Sequence, residues 1–95
     1  MGPLRAVPLG FQQISVGSSA GGLTVPAGAD FAIMRASTAD VSWRDDGIAP
    51  TASVGFPLLH TDVDPFEYHG DLGAFEAIAV SGSPVLNVSY YRTAG

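Results

Sequence analysis

Short apolar or alternating runs, each closed by glycine, proline or aspartate, recur along the whole chain, and this punctuation constrains the fold more than any single residue. FQQISV (11–16) ends in GSSAGG, which reads as a flexible loop, and LTV (23–25) stops at PAGAD, where Pro26 and Gly28 mark a turn. FAIMRA (31–36) is apolar on both faces apart from Arg35, as in a strand buried within a sandwich. VSWR (41–44) alternates, with Val41 and Trp43 inward and Ser42 and Arg44 outward. TASVGF (51–56) alternates too, placing Ala52, Val54 and Phe56 on one face. PFEYH (65–69) sets Phe66 and Tyr68 against Glu67, and FEAIAV (75–80) follows. In VLNVSYY (85–91), Leu86, Val88 and Tyr90 face one way and Asn87, Ser89 and Tyr91 the other. Only LGAFEAIAV (72–80) competes as a helix, through its Ala, Glu and Leu. Gly73 and the β-branched end favour a strand there. The pattern predicts an all-β chain: one small β-sandwich or barrel-like domain of about seven or eight antiparallel strands.

The domain is expected to span residues 11–95, after an extended N-terminal arm at 1–10. Pro3 and Pro8 block helix in MGPLRAVPLG and push the residues before them towards extended geometry. Few apolar residues and two prolines predict that this arm is disordered in the free protein. It contains neither a signal-peptide apolar run nor a myristoylation signal, since Ala6 stands where Ser or Thr is needed. No stretch reaches the length of a membrane helix, so a soluble protein made in the cytoplasm is expected.

Ninety-five residues supply one core. The chain is 46% hydrophobic but only 14% charged, against about a quarter in ordinary soluble proteins. So few charges point to surface hidden in an assembly. There is no lysine, and the net charge is −5, which argues against a nucleic-acid partner bound through phosphates. Without cysteine the chain has neither disulfide nor thiolate metal site.

RDDGI (44–48) fits a turn, because Gly47 can take the positive φ that a tight return demands. A two-residue type I′ turn over Asp46-Gly47 would pair Trp43 with Pro50 and Val41 with Ala52. A type I turn over Asp45-Asp46 with Gly47 as a bulge is the rival, one residue out of register. Asp45 and Asp46 therefore read as structural turn residues. Being adjacent, they would point to opposite faces of a strand and could not act together as acid and base. Arg44 is placed to pair with one of them.

HTDVDPFEYHGD (60–71) is the densest polar cluster. Asp62 and Asp64 would share a side of an extended chain and are the weak candidates for a hard cation. The spacing matches no calcium loop and the two histidines no zincin pair, so a solvated loop and no metal is the reading. Serine, histidine and aspartate all occur, but without a G-x-S-x-G elbow, and no lysine serves a phosphate loop. No catalytic residue, enzyme activity or cofactor is predicted. Trp43 and Tyr90 fall at inward positions, which leaves Tyr91 for a surface role.

LTVPAGADFAIMRA, VSWRDDGIAPTASVGFPL and LNVSYYR together resemble short proteins encoded among the structural genes of tailed bacteriophages and related particles. The shared order is an L-T-V-P-A-G-A segment (Leu23 to Ala29), an R-D-D-G-x-x-P-T turn (Arg44 to Thr51), a glycine-proline-leucine end (Gly55 to Leu58) and a final aromatic strand (Leu86 to Tyr91). The resemblance implies a small all-β structural part of the virion, on the capsid or at the tail. On the head it implies a decoration (cement) protein on the outer surface of the major capsid protein, often assembled with copies of itself as a trimer. The tail alternative is a baseplate, fibre or adhesin module. The expected partner-binding residues are Leu4, Arg5, Val7, Leu9, Phe11 and Tyr91, with residues 1–16 as the contacting arm.

Overall fold

The computed structural model describes residues 5–94, and within them the chain is all-β. Eight strands follow in order: β1 (Arg5–Ser15), β2 (Gly21–Gly22), β3 (Phe31–Ser37), β4 (Val41–Arg44), β5 (Phe56–Leu58), β6 (Phe66–Tyr68), β7 (Glu76–Ala79) and β8 (Val85–Ala94). They form two four-stranded antiparallel sheets, one ordered β1-β8-β3-β6 and the other β2-β7-β4-β5. The chain passes from one sheet to the other at every connection except β4 to β5.

Alternation in β8 builds the core as the sequence predicts. Leu86, Val88 and Tyr90 are all 1% exposed or less. They lie opposite Ala36, Met34 and Ala32 of β3, which are equally buried. Val41, Ala77, Ala79 and Leu58 close the core from the second sheet, and Phe75 joins them from the approach to β7. Each large side chain enclosed in this way contributes about 1.5–3 kcal/mol. LTV (23–25) is not a strand; Leu23 and Val25 instead pack against the core from the segment between β2 and β3.

Two expectations are corrected. The first is the arm. Residues 5–10 are the first half of β1, and all of them but Leu9 pair with Tyr90 to Ala94 of β8. The expected boundary between residues 10 and 11 thus falls inside one strand, while residues 1–4, with Leu4, lie outside the described residues. Pro8 was misleading because an edge strand can absorb a residue without an N–H. Pro8 sits on such an edge, just before a register shift at Leu9. That bulge turns Leu9 to pack against the core.

The second correction is the hairpin after β4. Val41, Ser42 and Trp43 pair with Leu58, Pro57 and Phe56, not with residues 50–52. Gly47 does take the positive φ, +84°. A second turn then intervenes, in which Thr51 and Val54 exchange backbone hydrogen bonds of 2.9 and 3.2 Å and the Thr51 hydroxyl accepts from Val54 N–H. The alternation in TASVGF is therefore partly a turn. Gly55 carries the loop back over Ser42, an outward position that is nevertheless only 4% exposed. A Cβ on Gly55 would collide with the Ser42 hydroxyl and lie 3.0 Å from the Trp43 carbonyl oxygen.

Candidate functional site

The RDDG turn is built as framework. Arg44 grips Asp46 through two hydrogen bonds, Nε to Oδ1 at 3.0 Å and a second from the guanidinium to Oδ2. This contact holds the Asp46 carboxyl below its ordinary range and raises Arg44. Asp45 turns the other way and accepts the Tyr68 hydroxyl at 2.6 Å. Tyr68 lies in β6 of the opposite sheet, so the bond ties the sheets together at one end. Burial, reinforced by the Asp45 carboxylate, drives the Tyr68 phenol strongly upward, so it stays neutral and donating. Below it, Trp43 packs against Phe56, Phe66, Tyr68 and Phe75 with ring centroids 5.0–5.5 Å apart.

The polar cluster at 60–71 is dispersed over local tasks. His60 turns to Asp40, its Nδ1 2.6 Å from Oδ1, and its backbone N–H donates to the same oxygen at 2.9 Å. Those contacts, the backbone bond first, hold the Asp40 carboxyl below its ordinary value. Asp62 accepts the Leu59 N–H at 3.1 Å, closing its own turn. The Arg35 guanidinium donates to the backbone carbonyls of Asp62 and Val63, at 2.7 and 3.1 Å. Asp71 accepts from Gly73 N–H. Among the described residues, no three His, Asp or Glu side chains converge as a metal ligand set.

The contact candidates gather on the first sheet. Beyond Tyr91, β8 pairs only with β1, so Arg5–Val7 and Arg92–Ala94 continue as a two-stranded ribbon past the end of β3. Arg5 is exposed on it and Val7 half-buried. Tyr91 is half-buried on the outer face and stacks on Phe31 at 5.2 Å, which in turn stacks on His69 at 4.7 Å. A shallow groove beside this stack is lined by Arg5, Ala6, Phe31, Glu67, His69 and Thr93. Phe11 stands clear of the same face at 65% exposure. Leu9, packed on the core, is not brought to this surface.

Sequence reasoning had assigned no role to His69, Phe31 or Asp40. The signal for the stack was available: Phe31 and Tyr91 both fall on the outward side of their strands. What no pattern revealed was that β3 and β8 are neighbours in a register that sets the two rings opposite each other.

A second apolar surface lies beside β5 of the second sheet, where Val54 and Phe56 flank a groove of about 370 Å³ with Arg44, Asp45 and Asp46. Both are more than half exposed, as is Ile48 in the same loop.

The fold and these surfaces define a small antiparallel β-sandwich. Comparison with protein-family models, curated proteins and solved structures returns no match.

Proposed function

We propose that this chain is a non-enzymatic structural part of a phage virion, a decoration protein that binds the outer surface of the major capsid protein and stabilises the head. One observation carries the reading: the residues behind the phage resemblance have framework tasks. Leu23, Val25 and Ala29 pack on the core, Arg44 clasps Asp46, Asp45 anchors Tyr68, and Gly55 lets the loop close over Ser42. A signature made of framework residues suits a protein whose product is its own shape.

The contacting surface is the β1–β8 ribbon, with Arg5 and Val7, together with the outer face beside it, with Phe11 and Tyr91, as the residues that meet the shell. Its partners are the major capsid protein and further copies of itself, on the virion surface after synthesis in the host cytoplasm. Each contact is weak, and repetition over the shell supplies the strength. Cryo-EM of whole particles, with the copy number counted by quantitative mass spectrometry, tests this. On the order of hundreds of copies spread over the head are expected for a repeated contact of this kind. A handful at a vertex or tail tip would replace it with the tail-side reading, a baseplate, fibre or adhesin module.

A further inference from the structure

Four strand edges are free in a two-sheet sandwich, and here they are unequal. β2 is two residues long, β5 and β6 three each, and β5 carries Pro57. These are the usual devices that keep an edge from recruiting another chain: short length and proline. β1 is the exception. It runs for eleven residues, and among the described residues no strand pairs with its outer side. Arg5, Pro8 and the bulge at Leu9 blunt its first half. Phe11–Ser15 has none of these: FQQIS carries no charge, no proline and no irregularity. In it Phe11, Gln13 and Ser15 are exposed.

We infer that the Phe11–Ser15 edge of β1 pairs antiparallel with the same edge of a second copy, joining two four-stranded sheets into one of eight strands across a two-fold axis at Gln13. The chain's own strands identify the occupant. Among the described residues a second copy offers no other free edge longer than three residues, so β1 is matched by β1, and the contact closes on itself instead of growing into a fibre. In a continuous sheet, opposed residues must face the same side, so the positions must agree in parity. The axis at Gln13 satisfies this and leaves Pro8 and Leu9 outside the ladder. It sets Gln13 against Gln13 of the second copy and Phe11 against its Ser15. A protein of net charge −5 meets itself here without placing any carboxylate in the ladder. Phe11 gains cover that its own chain does not give it. The inference goes beyond the shell reading and stands independently of it.

The absence of cysteine gives a direct test. Gln13→Cys brings two thiols into disulfide range across the axis, and mild oxidation is expected to yield a covalent dimer. Val63→Cys, 88% exposed on the loop between β5 and β6, is the control and is expected to remain monomeric. In parallel, sedimentation velocity from about 1 µM to about 1 mM follows the unmodified chain from one copy to two. Gln13→Lys places two like charges opposite each other and is expected to raise the midpoint by about tenfold or more with the melting curve little changed. Equal cross-linking at positions 13 and 63, or none at 13, would overturn the inference. So would a chain that stays monomeric throughout, or a trimer.

Discussion

The two edges of the first sheet are built on opposite plans. At β6, three residues are pinned by side chains: Tyr68 bonds across to Asp45, Phe66 and Tyr68 pack on Trp43, and Arg35 clamps the preceding loop by its carbonyls. At β1, eleven residues lie against a single neighbour, with hydrogen bonds on one side only. The inner side of β1 is secured: Gln12 accepts the Tyr90 hydroxyl at 2.7 Å and the Thr24 N–H at 3.2 Å. Its outer side is open. Stability and recruitment are thus separated along one sheet, with the fold spending its aromatic residues at one edge and leaving backbone exposed at the other.

Variants should divide along the same line. Phe75→Ala, which empties the fully buried ring against Trp43, is expected to cost about 3–5 kcal/mol in denaturant unfolding. Gly55→Ala should cost about 2–3 kcal/mol, because the new methyl meets Ser42 and the backbone stands at φ +152°. Adding Ser42→Gly should return part of that loss, since it removes the colliding hydroxyl. If the pair is no better than the single variant, the loop does not press on Ser42.

Tyr68→Phe is expected to cost about 1 kcal/mol at neutral pH through the lost bond to Asp45. It should also alter the alkaline limb. The Tyr68 phenol is raised above its ordinary value of 10.0, so the folded state keeps a proton that the unfolded state releases. Its contribution is full below pH 10.0 and declines as pH rises beyond it. The variant should therefore show a shallower loss of stability in that range.

Asp40 gives the mirror case. Its carboxyl is held below the ordinary 3.8, so its contribution is present above that pH and disappears as pH falls through the lowered value. Asp40→Asn should flatten the acid limb slightly, read by thermal melts between pH 2 and pH 5. Smallest of all, Phe11→Ser should leave the monomer's stability within about 0.5 kcal/mol, as expected for an exposed side chain away from any framework contact. A large loss there would mean that β1 is part of the framework and erase the contrast between the edges.

The all-β class, most strand positions and the inward face of β8 were legible in the sequence, because burial on one side of a strand leaves a period of two. Gly47 was legible as a positive-φ turn residue for an equally local reason. What stayed hidden depends on neighbours. TASVGF keeps a strand's alternation, yet Thr51 caps a turn and Gly55 is needed for a close approach that only the folded Ser42 creates. Pro8 signals irregular chain until β8 supplies a partner that needs no N–H from it on the open side. For the candidate surfaces, Tyr91 was readable as outward, but its stack with Phe31 and His69 follows from register between strands distant in sequence.

The most direct measurement is residue-resolved amide hydrogen exchange across β1, in dilute solution and again at high concentration. A strand with one paired and one open side predicts alternate amides from Phe11 to Ser15 protected and exposed when dilute, with the exposed set becoming protected as copies pair. Uniformly fast exchange from Arg5 to Ser15 would contradict the account, because β1 would then be an unpaired arm with no edge to offer.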